Sequence, residues 1–567
     1  MKKKWWHEKI GYQIYPKSFL DTNGDGIGDL TGVIEKLPYL EQLGVDILWL
    51  SPVYPSPMVD NGYDISDYEN IDPRFGTLED MDRLIAEAKK RNISIIMDLV
   101  VNHCSDQHAW FQKAIADPKG PYGDYFYLKE GKDGKEPNNW RSYFGGSVWE
   151  KLPGQENLYY YHAYAKEQPD LNWENPVLRE EIYKMVNWWL DRGIAGFRID
   201  AIINIKKDLT WEDLPVDGPD GRGFLTNSIT RMQKRDGGTK NGIGVFLREL
   251  KERCFAPHDA FTVGEVFEVG REQLEEFIGE DGYFSTMFAF DPVQSYKKGT
   301  CQCEFDRNMN PDEWKRDVFV NQKLLGDIAF EANIIENHDM ARGATIYIPD
   351  EDYGFASVSA LAGLQVLQRG MPFLYQGQEI GMTNCPFELE DIDDIMTLDN
   401  YHYAVACGFS EEKAFAGCAR ESRDNARTPM QWSDAENAGF TTGKPWLKVN
   451  PNYPEINVAR QEKEYGSVLN FYRRLLCFRK SEEYRDLLTY GTFEPMYEDQ
   501  EKIFAFKRTL GKECLTVICN ESPAERFLTL KEDYEEVVFV NLPQVTRIGD
   551  NLILHPYQLI VVETTKK

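Results

Sequence analysis

The chain has 567 residues, of which 42% are hydrophobic, and its 64 Lys and Arg against 93 Asp and Glu give a net charge of −29. This length exceeds that of one ordinary domain, and the negative charge argues against nucleic acids and anionic membranes as partners. The sequence contains no apolar run of about 18 residues and no apolar stretch of a signal peptide, so we expect no membrane span and a cytoplasmic location. The ten cysteines include no CxxC pair, and free thiols are expected.

The first part of the chain alternates between apolar strands and amphipathic helices. Continuous apolar strands that alternate with helices are typical of a parallel sheet. The alternation stops after Cys104, where a stretch rich in Gly, Pro, Tyr and Trp predicts an inserted subdomain. The predicted strands are 11–16, 45–50 and 94–101, and the predicted helices are 32–44 and 77–92.

The alternation resumes with a helix whose first residue is Pro176, a favoured position for proline. Eight strand–helix units predict a (β/α)8 TIM barrel, in which the active site lies at the carboxyl ends of the strands. Shorter alternating strands after residue 484 predict a C-terminal antiparallel β domain. The later strands are predicted at 193–200, 260–266, 283–290, 332–339 and 372–376, with a polar, Gly-rich excursion at 206–242.

The predicted fold is therefore α/β, with four segments in chain order. The barrel takes residues 1–104 and 174–483, the inserted subdomain B takes 105–173 after the third strand, and a β-sandwich takes 484–567.

Three acidic side chains are expected to converge at the mouth of this barrel. Arg198 and Asp200 lie two residues apart on a buried strand, so their side chains point to the same face. Burying a charged pair there is unfavourable unless the pair is compensated or has a function. Glu265 and Asp339 end the fifth and seventh strands. Glycoside hydrolysis requires two such acids, one to attack the anomeric carbon and one to protonate the leaving oxygen.

A loop near the N-terminus, DTNGDGIGD at 21–29, carries oxygen-bearing side chains between glycines. Asp21, Asn23, Asp25 and Asp29 offer the hard oxygen ligands that Ca²⁺ prefers, and a structural role is expected for the ion. The twelfth position is Gly32 where an EF-hand has Glu, and an Asx/Gly turn without an ion is the alternative.

Several longer motifs resemble one known family. DLVVNH, GFRIDAI, GEV and ENHD are similar to the four sequence regions of the α-amylase superfamily, glycoside hydrolase family 13. DTNGDGIGDL, DNGYDISDY, QPDLNWENP, YQGQEIGMTN and SRDNARTPMQW resemble its oligo-1,6-glucosidase and α-glucosidase branch. The resemblance runs from the N-terminus through the final β domain.

The resemblance implies a role for each matching residue. Asp200 would be the nucleophile, Glu265 the general acid/base, Asp339 the stabiliser of the oxocarbenium-like transition state, and Arg198 the group that keeps Asp200 ionised. The implied substrate contacts are His103 and His338 to glucose hydroxyls, Asp60 and Arg423 at the non-reducing end, Tyr63 as a stacking platform, Phe144 and Tyr164 as walls, and Phe267 as a further substrate-binding residue. The implied calcium ligands are Asp21, Asn23, Asp25, Ile27 and Asp29.

The sequence departs from the family at positions that bear on the substrate. Tyr164 stands where the family usually has Phe, and Met340 stands where Gln is frequent. Ala201 follows the nucleophile, where Val goes with α-1,6 cleavage and smaller residues with α-1,4 cleavage, so linkage stays open.

The implied activity is that of a retaining exo-acting α-glucosidase on short α-gluco-oligosaccharides such as isomaltose, with maltose a further candidate. A glucosyl-transferring or sucrose-isomerising enzyme is the first alternative, and a non-catalytic relative the second. We expect a monomer that binds oligosaccharides and uses no organic cofactor.

Overall fold

The computed structural model describes residues 2–226, 242–267, 271–297, 302–305 and 307–564. Residues 227–241 of the predicted excursion at 206–242, as well as Cys301, lie outside the described residues. Among the described residues, the free cysteines include Cys104, Cys254, Cys385, Cys407, Cys477, Cys514 and Cys519. No helix in this part of the chain combines the length and apolarity needed to cross a membrane.

Eight parallel strands form the central sheet, in the order β6-β5-β4-β3-β2-β1-β8-β7. A parallel bridge between Phe288, just after β6, and Ala332 of β7 closes the sheet into a ring. The predicted (β/α)8 barrel is therefore confirmed. Its strands are β1 Gly11–Ile14, β2 Ile47–Leu50, β3 Ser94–Val100, β4 Gly196–Asp200, β5 Phe261–Gly264, β6 Thr286–Met287, β7 Ala332–Asn333 and β8 Met371–Tyr375.

Helices connect these strands and cover the outside of the ring. The long helix before β4 begins as predicted at Pro176, after Asn175 accepts N–H bonds from the first turn, and ends at Gly193 in the left-handed conformation. The long helices are Leu30–Leu43, Leu78–Lys90, Pro176–Arg192, Pro311–Leu325, Phe355–Leu367, Ile395–Ala406, Glu411–Glu421 and Val468–Arg479; the shorter ones include Ala109–Ala116, Gly244–Leu250, Arg271–Ile278, Phe290–Gln294, Gly343–Tyr347, Asp424–Arg427, Val458–Gln461 and Arg485–Tyr490.

Two barrel strands are much shorter than the sequence predicts. The sixth was expected over 283–290 and the seventh over 332–339, but each pairs over only two residues. After β7 the Asn337 side chain accepts the backbone N–H of Asp339 at 2.8 Å. Such side chain–backbone bonds compete with sheet pairing, so Asp339 lies in a turn beyond the strand.

The start of β4 requires a residue without a side chain. Gly196 has φ +152, and a Cβ atom built there would lie 1.7 Å from the carbonyl oxygen of Phe261 on β5. Only glycine permits this close approach of two backbones, and it brings the residues that follow Gly196 into register with β3 and β5.

The segment between β3 and the helix at Pro176 carries a small antiparallel sheet of its own. Its strands are Leu128–Glu130, Leu158–Tyr161 and Trp149–Lys151, in that spatial order. The end of the chain forms two antiparallel sheets, ordered β9-β10-β11-β16-β13 and β12-β15-β14. These strands are β9 Thr492–Met496, β10 Ile503–Leu510, β11 Glu513–Asn520, β12 Arg526–Thr529, β13 Glu536–Val540, β14 Thr546–Ile548, β15 Asn551–Leu554 and β16 Leu559–Glu563.

Candidate active site

A cavity of about 730 Å³ opens at the carboxyl ends of the barrel strands. Ten of the twelve side chains predicted for catalysis and substrate binding line it, and the other two, Arg198 and His338, are fully buried behind it. The ten are Asp60, Tyr63, His103, Phe144, Tyr164, Asp200, Glu265, Phe267, Asp339 and Arg423.

One guanidinium joins the acidic groups at the centre of the cavity. Nη1 of Arg198 donates to Asp200 Oδ1 at 2.6 Å and to Asp98 Oδ1 at 2.8 Å. Its Nη2 lies 3.0 Å from Glu265 Oε2. Asp98 and Arg198 face each other because β3 and β4 pair in parallel with these residues in register. Asp200 and Glu265 are thereby held against one planar cation.

The charge on Asp200 depends on this cation. Burial raises the pKa of Asp200 well above its usual value, Arg198 opposes the rise, and the nearby Glu265 and Asp98 add to it. Burial likewise raises the pKa of Asp98 to about 6, against the hydrogen bonds from Arg198, Tyr63 and Trp49. Several carboxylates around one cation cannot all ionise freely, so Arg198 is the group that favours the ionised form of Asp200.

Asp339 has the opposite electrostatic environment. Burial acts to raise its pKa, but His338, Arg423 and Arg427 together hold that pKa well below its usual value. Burial lowers the pKa of His338 to about 4, so this ring is neutral at pH 7 and the two arginines supply the charge. Arg427 Nη2 lies 2.9 Å and Arg423 Nη1 3.3 Å from Asp339 Oδ1. Asp339 is therefore ionised across the physiological range.

An ion pair closes one end of the cavity. Arg423 Nη2 bridges Asp60 Oδ1 at 3.0 Å and Asp394 Oδ1 at 2.6 Å. Gln168 of the inserted segment donates to the other Asp60 oxygen at 3.2 Å. These charged groups are buried and paired, and Asp60 and Arg423 line the cavity at this end.

The two histidines are held by protein groups. His103 Nε2 lies 3.0 Å from the Tyr63 carbonyl oxygen, and its Nδ1 lies 3.1 Å from Asn102 Nδ2. His338 Nδ1 lies 2.7 Å from Gln13 Nε2, and the ring stacks on Tyr63 at 5.3 Å between centroids. Bonds from either ring to a sugar hydroxyl would replace or share these contacts.

Ala201 leaves the strand geometry directly after Asp200. Its φ is +44, in the left-handed region, and its N–H donates to Glu265 Oε2 at 2.8 Å. On a regular strand its side chain would point away from that of Asp200; with this turn, Ala201 lines the cavity beside Asp200 and Glu265.

Four further residues of the site were given no role from the sequence. Asp98 was visible as the single charge in an otherwise apolar strand, and Arg427 stands four residues after Arg423, one helical turn away. Asp394 and Asn204 carried no comparable signal, because their contacts come from segments distant in sequence.

The loop at 21–29 is closed by its own hydrogen bonds. Both carboxylate oxygens of Asp21 accept from backbone N–H groups of the loop, and Asp29 caps the first long helix. Asn23 and Asp25 each accept the N–H two residues on. Within the described ranges, no three His, Cys, Asp or Glu side chains are grouped so as to hold a metal ion. The oxygens suit calcium, and the geometry is that of a series of Asx turns.

Comparison with known proteins identifies the family of this chain. The family profile described as alpha amylase, catalytic domain, matches residues 13–491. An oligo-1,6-glucosidase of Halalkalibacterium halodurans is 42% identical over 94% of this chain and 96% of its own. An oligo-1,6-glucosidase of Bacillus cereus is 40% identical over 99% of both chains.

A solved structure has the same fold over its full length. Isomaltulose synthase from Klebsiella sp. LX3 superimposes with a TM-score of 0.91 at 36% identity, covering 99% of this chain and 100% of that chain. A profile match over most of the sequence, together with relatives of this identity and coverage, leads to one conclusion: the chain belongs to the α-amylase family, glycoside hydrolase family 13.

Proposed function

We propose that this glycoside hydrolase is a retaining exo-α-glucosidase that releases the terminal non-reducing glucose of short α-gluco-oligosaccharides. The observation that carries the proposal is the pair Asp200 and Glu265 on one guanidinium, in a cavity closed at one end by Asp60 and Arg423. A closed end admits a chain terminus and not the middle of a polymer. Relatives named oligo-1,6-glucosidase support the same substrate class.

The proposed reaction has two steps, and each acid has a role in them. Asp200 attacks the anomeric carbon while Glu265 gives its proton to the departing glycosidic oxygen, which leaves as a sugar hydroxyl. Glu265, now a carboxylate, takes a proton from water, whose oxygen displaces Asp200 and regenerates it. The ionised Asp339 stabilises the positive charge that develops on the ring in both steps.

Proton NMR of fresh hydrolysis mixtures tests this mechanism. With p-nitrophenyl α-glucoside, whose leaving group is not a sugar, we expect α-glucose as the first sugar product, since two displacements preserve the configuration. β-Glucose as the first product would contradict retention. A panel of isomaltose, maltose, panose, trehalose and sucrose under the same conditions identifies the substrate class.

A second function is favoured by one observation, the likeness to an isomaltulose synthase. The same acids would serve an enzyme that returns the glucosyl group to a sugar and not to water. High sucrose concentrations separate the two: free glucose and fructose support hydrolysis, whereas rearranged disaccharides support isomerisation.

We further propose that maltose is accepted beside isomaltose, because Ala201 leaves room next to Asp200. For Ala201→Val we expect kcat/KM to fall much more for maltose than for isomaltose, since one or two methylenes in a pocket are worth roughly 10- to 200-fold. A β-branched residue at positive φ also strains the backbone. That strain affects both substrates alike, so the quantity to measure is the ratio of kcat/KM for maltose to kcat/KM for isomaltose. An unchanged ratio would exclude Ala201 as the determinant of linkage preference and assign that role to Phe267 or the excursion at 206–242.

Calcium binding to the loop at 21–29 is also part of the proposal, with Asp21, Asn23, Asp25, Asp29 and the Ile27 carbonyl as ligands. Asn23 Oδ1 and Asp25 Oδ1 each accept one N–H bond and keep a second lone pair for an ion. The two Asp21 oxygens accept two hydrogen bonds each, so an ion would have to displace one of these bonds. Calcium at 100 times its Kd would stabilise the fold by about 2.7 kcal/mol. We expect a chelator to lower the melting temperature, calcium to restore it, and Asp25→Ala to abolish the response. An identical melting temperature under all conditions would leave the loop as a turn.

The cellular location and assembly state complete the proposal. We propose a monomer in the cytoplasm, supported by the net charge of −29 and the ten cysteines that form no CxxC pair. A dimer mass in size-exclusion chromatography with light scattering would contradict the monomer.

A further inference from the structure

The wall of the cavity has an order that its ring contacts define. Arg423 lies over the Phe144 ring, 5.3 Å from its centroid, and Phe144 packs against Tyr164 at 5.5 Å. Tyr164 stacks on Tyr143 at 4.9 Å, and Tyr143 contacts Phe224 at 5.6 Å. These contacts join the Asp60–Arg423 ion pair to Tyr143 and Phe224 through Phe144 and Tyr164, and Tyr164 also contacts His103 at 5.3 Å.

Asn204 is bonded to both tyrosines of this wall. Its Nδ2 donates to the Tyr164 hydroxyl at 2.8 Å, and its Oδ1 accepts from the Tyr143 hydroxyl at 3.2 Å. The residue is only 4% exposed, yet it lines the cavity beside Ala201. An Asn amide carries two N–H donors and a carbonyl with two lone pairs, so these two bonds use half of its capacity.

The position of Asn204 fits the sugar that leaves. Glucose bound against Asp60 and Arg423 occupies the closed end, with its anomeric carbon at Asp200. Asn204 follows Asp200 by four residues and lines the cavity together with Ala201 and Glu265, at the acids between which the glycosidic bond must lie. We propose, on the basis of the proposed function, that Asn204 hydrogen-bonds the hydroxyls of the leaving sugar, and that Tyr164 and Tyr143 are positioning residues that fix its amide.

The hydroxyl group of Tyr164 is the part of this side chain that holds Asn204. A phenylalanine at this position would keep the ring stack and lose only the bond to Asn204. The hydroxyl therefore ties the inserted segment to the loop after β4 at the point where the leaving sugar is expected. An Asn204 amide that was free to rotate would lose conformational entropy when the sugar binds, which would weaken the binding.

Two substrates with the same glucose and different leaving groups test the proposal. For Asn204→Ala we expect kcat/KM for isomaltose and maltose to fall about tenfold, the worth of one or two neutral hydrogen bonds. Hydrolysis of p-nitrophenyl α-glucoside should change by less than about twofold, because its leaving group lacks sugar hydroxyls. Equal losses on both substrate types would overturn the proposal. If the wild type cleaves neither disaccharide, the proposed function fails instead.

Variants of the tyrosines separate positioning from folding. Tyr164→Phe should lose about threefold on disaccharides alone, mostly in KM. The double variant Tyr164→Phe/Asn204→Ala should be no worse than Asn204→Ala, because the tyrosine acts through the amide. Additive losses would contradict that role. Tyr160→Phe is the matched control, since its hydroxyl bonds the Lys166 carbonyl in the same segment, away from Asn204, and both substrates should be unaffected.

Discussion

Asp200→Ala is expected to reduce kcat by roughly 10⁴- to 10⁶-fold, the range seen when a covalent nucleophile is removed from an enzyme. Without the carboxylate no glucosyl-enzyme bond forms, while Glu265, Asp339 and the closed end formed by Asp60 and Arg423 remain. Substrate binding should therefore persist after turnover has stopped. Single-turnover kinetics with p-nitrophenyl α-glucoside and equilibrium binding of isomaltose measure the two effects separately.

Another buried carboxyl provides the matched control for this loss. Glu331 is 3% exposed, and burial raises its pKa to about 8 against the hydrogen bond from Asn321. The group is thus largely protonated at pH 7, and Glu331→Gln replaces it with a neutral group of the same shape. Activity should stay within about twofold of the wild type, the scale of a neutral hydrogen bond. Near-normal turnover in Asp200→Ala would assign the nucleophile elsewhere.

The barrel could be predicted from sequence because its signal is local and repeated. Apolar strands alternate with helices of the 3.6-residue period, and caps such as Asn175 and Gly193 mark their ends. The lengths of β6 and β7 could not be read in this way. These lengths depend on the number of residues over which neighbouring strands are close enough to pair. They also depend on local hydrogen bonds such as that from the Asp339 N–H to the Asn337 side chain.

In the active site, too, features with a local sequence signal could be predicted and contacts between distant segments could not. Asp200, Glu265 and Asp339 lie at or just after strand ends, which a parallel barrel brings together. The pairing of Asp98 with Arg198 arises from the register between two strands, which neither strand reveals alone. Asn204 acquires its partners from the inserted segment, and no local pattern reports a contact of that kind.

Arg198→Gln should be the most damaging change outside the three acids. The substitution leaves Asp98, Asp200 and Glu265 without their shared cation, and removing one partner of a buried ion pair costs about 3–5 kcal/mol of stability. Urea unfolding followed by fluorescence measures this loss. At neutral pH we expect kcat/KM to fall by roughly 10²- to 10³-fold, because a misoriented and partly protonated Asp200 is a poor nucleophile.

The pH profile distinguishes this electrostatic role from a purely structural one. Arg198 lowers the pKa of Asp200 against the effect of burial, so its removal raises that pKa and leaves less of the ionised form at any given pH. The acid limb of kcat/KM should therefore move to higher pH in Arg198→Gln. Arg198→Lys keeps the charge but cannot hold several carboxylates in one plane, and its limb should move less while its kcat still falls. An acid limb at the wild-type position in both variants would show that Arg198 does not control the ionisation of Asp200.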